Sequence, residues 1–145
     1  MKFRLAAFTI ILLTTNVLLA VIHHVPGQFQ DIQTAVNAAL EGDTVMIAEG
    51  TYTGVGFMDI ELTGRNIVIT SESGPDECIL DMQSLGRALY IHDGETNATV
   101  IEGLTIRRGI TFNSGTHRRQ GGGMLIDNAS PTIRNCIFES DSARG

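Results

Sequence analysis

Tryptophan is absent from the 145 residues, aromatic residues amount to 6%, and cysteine occurs only twice. Two cysteines are too few for a scaffold built on disulfides. Cys78 and Cys136 both sit in apolar, strand-like runs (Cys78-Ile79-Leu80 and Cys136-Ile137-Phe138), where two buried free thiols outrank a bridge. Their spacing fits no zinc site. Basic residues are also scarce, 10 against 16 acidic ones, and a net charge of −6 argues against nucleic acid as a partner. Apolar residues are plentiful: 43% hydrophobic with 18% charged is the composition of a packed chain with one core.

The first residues stand apart. Lys2 and Arg4 precede Leu5 to Ile22, which is apolar except for Thr9, Thr14, Thr15 and Asn16. This is the pattern of a signal peptide, residues 1–22, with cleavage expected near Ala20, although Leu18 stands where an A-x-A site has a second small residue. An uncleaved anchor is the competing reading, since the run approaches the length that spans a bilayer. Removal of the leader leaves 8 basic against 16 acidic residues, a net charge of −8. The expected address is secreted or cell-surface, outer-membrane or extracellular, with membrane contact only through the leader or a segment beyond residue 145.

An internal repeat follows. Gly42-Asp43-Thr44-Val45-Met46-Ile47 recurs as Gly64-Arg65-Asn66-Ile67-Val68-Ile69 and as Gly86-Arg87-Ala88-Leu89-Tyr90-Ile91, each time 22 residues on. A fourth copy, Gly121-Gly122-Gly123-Met124-Leu125-Ile126, comes 35 residues later, and the polar segment 109–120 reads as a loop inserted in that coil. A second strand keeps the same offset through Phe57, Ile79 and Ile101 and through Ile60, Met82 and Leu104; its fourth copy, Thr132 to Phe138, lies 32 residues after Val100 to Ile106. Short strands cannot bury an apolar side alone, but stacked identical turns form continuous columns. The expected inward columns are Val45/Ile67/Leu89/Met124 and Ile47/Ile69/Ile91/Ile126. The predicted fold is therefore an all-β solenoid, a right-handed parallel β-helix of about four 22-residue coils spanning 42–145. An antiparallel sandwich gives no reason for a fixed offset.

Residues 23–41 are expected to cap the N-terminal end. Phe29, Ile32, Val36, Ala39 and Leu40 fall at helical spacing, which predicts a helix over 29–40 ended by Gly42. No such cap is evident near Gly145, so the chain reads as the N-terminal part of a longer solenoid.

Three pieces carry a family resemblance: Phe29-Gln30-Asp31-Ile32-Gln33-Thr34-Ala35-Val36 with Gly42-Asp43-Thr44-Val45 and Gly50-Thr51-Tyr52; Ile101-Glu102-Gly103-Leu104-Thr105-Ile106; and Gly122-Gly123-Met124-Leu125 with Phe138-Glu139-Ser140-Asp141. Together they resemble the pectin-lyase-like superfamily, in particular exported bacterial surface proteins with polymorphic-outer-membrane-protein-type repeats, over residues 25 to 145. Asp141 replaces the asparagine of that family's F-x-x-N motif. The resemblance implies the β-helix, while the superfamily's functions range from polysaccharide lyases, glycosidases and esterases to non-catalytic surface proteins. The G-x-x-D-F-I-F-G-type segment of pectin methylesterases and the paired-aspartate and G-H-G motifs of polygalacturonases have no counterpart here.

Three groups of residues offer chemistry. Asp59 and Asp81 are 22 apart, so a 22-residue coil would stack them about 4.8 Å apart as a calcium or acid–base pair; solvated turn carboxylates are the plainer reading. Tyr90 and His92 should point outward with Met46, Val68 and Leu125 in one apolar stripe on which a sugar ring could stack, unless the 109–120 loop or a partner covers it. Arg107, Arg108, His117, Arg118 and Arg119 flank the loop and would form a basic patch for an acidic polysaccharide, against the ordinary reading of solvated or acid-paired arginines. No complete catalytic set is evident, and no cofactor beyond a calcium ion at Asp59 and Asp81. The expectation is a non-catalytic surface or secreted segment, structural, adhesin-like or contacting a polysaccharide or cell-surface glycan. Its alternative is the N-terminal part of a polysaccharide lyase, glycosidase or esterase whose active site lies further along.

Overall fold

The computed structural model describes residues 19–111 and 120–143, which form strands in parallel sheets with one helix. Strands β1 (Ile22–Val25), β2 (Thr44–Ile47), β5 (Val68–Ser71), β8 (Val100–Glu102) and β12 (Thr132–Arg134) make the first sheet, in that order. The second holds β3 (Gly50–Tyr52), β6 (Cys78–Asp81), β9 (Thr105–Arg107) and β13 (Ile137–Glu139); the third holds β4 (Ile60–Glu61), β7 (Leu89–Ile91) and β11 (Met124–Ile126). A two-stranded ladder joins β10 (Ile110–Thr111) to β14 (Ser142–Ala143). The chain thus visits first, second and third sheets in rotation, and every pairing is parallel. That excludes the antiparallel sandwich.

The register corrects the expected repeat. In the first sheet the offsets are 22 (Ile22 to Thr44), 24 (Thr44 to Val68), 32 (Val68 to Val100) and 32 (Val100 to Thr132). The buried columns are therefore Val45–Ile69–Ile101 with half-buried Ile133, and Ile60–Leu89 with half-buried Met124. The Leu89/Met124 and Ile91/Ile126 pairs hold, whereas Val45 and Leu89 belong to different sheets; of the expected second strand, Ile60, Ile79 and Ile101 fall in the third, second and first sheets, and Phe57, Met82 and Leu104 lie outside the strands. A glycine followed by aliphatic residues marks any corner that leads into an inward strand. Three sheets supply three such corners, so the motif cannot tell one sheet from another.

The corner after the first sheet shows what these positions require. Gly103 (φ 70) and Asn135 (φ 50) follow in-register residues Glu102 and Arg134, and both adopt the left-handed conformation that turns the chain into the second sheet. A Cβ on Gly103 would lie 2.7 Å from Ser71 Oγ, so close stacking as well as dihedral angle selects glycine there.

At the N-terminal end, α1 runs over Ile32–Ala38, shorter than the predicted 29–40. Asp31 is its N-cap, accepting the Thr34 N–H at 2.8 Å, and Ala39 is already extended, so the helix stops before Gly42. Ile32, Ala35 and Val36 are fully buried against the first strands. Gln33 completes the edge of β4: its Oε1 accepts the Glu61 N–H at 2.9 Å and its Nε2 donates to the Glu61 carbonyl at 3.1 Å, replacing a neighbouring strand. β1 lies within the segment expected to be cap, and Ile22, assigned to the leader, is its first residue. Likewise Ile110 and Thr111, placed by the sequence in the inserted loop, pair with Ser142 and Ala143. At the other end of the columns Ile126 and Phe138 are exposed. No helix among the described residues is long and apolar enough to cross a membrane.

Candidate functional site

Asp81 ends β6 on the second sheet, in register with Arg107 of β9. Arg108 follows in the left-handed conformation (φ 54), which brings its side chain to the same carboxylate. Arg108 Nε donates to Asp81 Oδ1 at 2.8 Å and Nη2 to Oδ2 at 2.5 Å, while Arg107 Nε donates to Oδ2 at 2.9 Å. The Gln83 N–H fills the remaining acceptor on Oδ1 at 3.1 Å. Asp81 is only 2% exposed, and the Arg108 hydrogen bonds, with smaller contributions from Gln83 and Arg107, hold its carboxyl at about 2 against burial.

This arrangement corrects two expectations. Asp59 does not stack on Asp81, because the true register places Asp81 beside Arg107 and Asp59 beside Arg87. Asp59 precedes β4 in the third sheet; its N–H donates to the Arg87 carbonyl and its Oδ1 accepts Arg87 Nε at 2.6 Å. Both carboxylates thus face arginine. Among the described residues no group of three or more His, Cys, Asp and Glu is placed to hold a metal ion. Arg107 and Arg108 are likewise directed onto Asp81 rather than forming an open basic patch. His117, Arg118 and Arg119 lie outside the described residues.

The apolar stripe is also divided. Tyr90 and Leu125 are neighbours in the third sheet, with Glu61 on the other side of Tyr90, while Met46 and Val68 belong to the first sheet. The Tyr90 ring is not a bare platform: His92 stacks on it with centroids 3.8 Å apart at 17°, and the Arg87 guanidinium lies 5.0 Å from its centroid. His92 Nδ1 is 3.3 Å from Asp93 Oδ1, and its buried Nε2 is 3.9 Å from Glu61 Oε2, beyond hydrogen-bond reach. Packing among these groups pushes the Tyr90 phenol up, and the Asp127 carboxylate adds to the effect. The structure gathers Tyr90 and His92 but uses their ring faces on each other.

Several polar residues that the sequence did not single out are more deeply placed. Asp43, 3% exposed, accepts the Val21 and Leu40 N–H groups at 2.8 Å each and contacts His23 Nε2 at 2.9 Å. The His23 contact leads in holding its carboxyl at about 2. Buried Glu95 accepts the N–H groups of Gly64 and Asp93. Asn66 Oδ1 accepts from Thr96 N–H, Thr96 Oγ1 and Thr99 Oγ1, while Glu41 accepts both the backbone and side-chain N–H of Asn66. Arg134 pairs with in-register Glu102 at 2.8 Å. The available signal was position, a polar residue at a glycine corner beside a strand, but it identifies no partner.

These contacts recur across neighbouring passes of the chain: Asp43 with β1, Asn66 with Glu41 and Thr96, Arg87 with Asp59, Arg107 with Asp81, Arg134 with Glu102. Cys78 is buried and Cys136 half-buried, both free, and burial pushes the Cys78 thiol up to about 12. In class the protein is a set of sheets of parallel strands with one helix, in which charged side chains join neighbouring strands and turns. No family model matches the chain, and no curated protein and no solved structure matches it.

Proposed function

We propose that this chain is a non-catalytic segment of an exported right-handed parallel β-helix, similar in plan to surface proteins of the pectin-lyase-like superfamily, serving as a rigid stalk or adhesin-like surface. Rotation through three parallel sheets supports a single coil with passes of 22 to 35 residues rather than a constant 22. Right-handedness follows from the strong preference of parallel crossover connections, about 98%. The leader pattern of residues 1–22 supports export; residues 1–18 lie outside the described part.

One observation carries the functional reading. The carboxylates and arginines that sequence inspection raises as catalytic or ligand-binding candidates, where they are described, are paired with partners on an adjacent pass, as Asp81 is with Arg107 and Arg108. A general base needs a carboxylate near its working pH and open to substrate; Asp81 is buried and held at about 2. Contact with a polysaccharide or cell-surface glycan would then use the outer faces of the sheets, with the Tyr90 edge and the Glu61, Asp93 and Asp127 carboxylates around it. The exported protein should be incubated with acidic and neutral polysaccharides and assayed for new reducing ends and unsaturated sugar products. None is expected; a product whose release follows protein concentration would overturn the non-catalytic reading in favour of a polysaccharide-active enzyme.

A further inference from the structure

The first turn of the stack is tied down through a backbone group that lies at the expected processing site. Val21 N–H donates to Asp43 Oδ1 at 2.8 Å, and the Val21 carbonyl accepts the Thr44 N–H at 2.9 Å. Ile22 then opens β1 in register with Thr44. On the preceding side Leu19 is 77% exposed and Ala20 is exposed without regular structure. Among the described residues Val21 is thus the first whose backbone is hydrogen-bonded to the strands that follow. A cut after Ala20 spares β1 entire, whereas removal through Ile22 would take its first residue.

We propose that hydrolysis of the Ala20–Val21 bond creates an α-ammonium on Val21 that forms a charged pair with buried Asp43, so that processing itself fastens the first turn. The inference rests on the export reading, with a peptidase of the export machinery as catalyst. Water adds to the Ala20 carbonyl carbon, the C–N bond breaks, the carboxylate departs with the leader, and the released amine takes up a proton. A neutral hydrogen bond becomes a charge-assisted one at a carboxylate already fixed by Leu40 N–H and His23. The site is prepared: His23, half-buried, packs edge-on against Phe29 at 5.4 Å, and Asp43 is 3% exposed. Other charged groups nearby face elsewhere, Glu41 onto Asn66, Arg65 onto the Ala39 carbonyl and His24 towards Glu72. Asp43 is thus the carboxylate left to meet the new cation.

The composition supplies a clean test. Lys2 is the sole lysine, so cleavage leaves the Val21 α-amine as the only primary amine in the chain. Protein recovered from outside the cell should be sequenced from its N-terminus and treated with an amine-acylating reagent across pH, folded and in urea. The expected N-terminus is Val21. Its apparent pKa should stand about one unit above the ordinary 7.7–8.0 of an α-amine, with folded-state acylation roughly tenfold slower near neutral pH. Asp43→Asn should restore the unfolded rate, and if that variant does not fold, the pH profile of the unaltered protein decides alone. An N-terminus other than Val21, or equal folded and unfolded rates, overturns the proposal. Protein retained inside the cell with residues 1–20 intact overturns the export reading instead.

Discussion

Replacing Asp81 by asparagine removes one negative charge from a carboxylate that two arginines and a backbone N–H enclose, with almost no change in shape. The carboxyl stands at about 2 in the folded protein against an ordinary 3.8. Taken at face value, that difference is worth roughly 2.4 kcal/mol at 1.36 kcal/mol per pKa unit. Arg107 and Arg108 are 35% and 50% exposed, so water screens part of the attraction, and the expected loss is about 1–2 kcal/mol. In a chain of this size that corresponds to a fall in Tm of roughly 3–6 °C. Because folding depresses the carboxyl, its contribution is complete above the ordinary value and disappears as pH falls through about 2. Asp43 titrates over the same range and is present in both proteins, so the difference between wild type and Asp81→Asn isolates Asp81. Urea unfolding followed by circular dichroism from pH 7 down to pH 2 should show the two curves converging at the acid end. A gap that stays constant with pH, or no gap at pH 7, would refute the claim that this ion cluster fastens the second sheet.

Three further outcomes are expected. Gly103→Ala should destabilise by about 1–2 kcal/mol in urea unfolding, since alanine must adopt φ 70 and displace Ser71 Oγ; adding Ser71→Ala should return the steric part only. Asp141 is pushed up chiefly by burial, with Oδ1 on the Gly109 N–H and Oδ2 finding no hydrogen-bond partner among the described residues. Asp141→Asn should therefore stabilise the protein at neutral pH by removing a buried charge, with the gain vanishing in acid where the wild-type carboxyl is protonated. In native thiol labelling at neutral pH, half-buried Cys136 should react before Cys78, which burial keeps protonated until the chain unfolds.

Much of the architecture was legible because inward strands need alternating aliphatic residues and corners need special dihedral angles. Thr44 to Ile47, Leu89 to Ile91, Met124 to Ile126 and the 32-residue step to Thr132 all stood out on those grounds. The length of a full pass did not. The hexapeptides at Gly64 and Gly86 look alike because both lead into buried strands, yet one opens the first sheet and the other the third. That error propagated into chemistry: an offset of 22 sets Asp81 beside Asp59 and Gly103, while the real offset of 26 sets it beside Arg107. Partnership across passes depends on register to the residue, and register is a property of the stack. β1 was missed for another reason. Ile22 to Val25 contains two histidines, and only contact with Asp43 and Phe29 makes His23 an acceptable inward residue.

The unequal offsets of the first sheet have an evolutionary consequence. Strands meet at the same height whether 22, 24 or 32 residues separate them, so the surplus is taken up between sheets. Lengthening such a connection adds little closure entropy, about 0.6 kcal/mol per doubling. Codons gained or lost there change one pass without moving the others. Lineages carrying this chain can therefore be expected to differ most in connection length and least in corner residues and in the ion pairs that join neighbours.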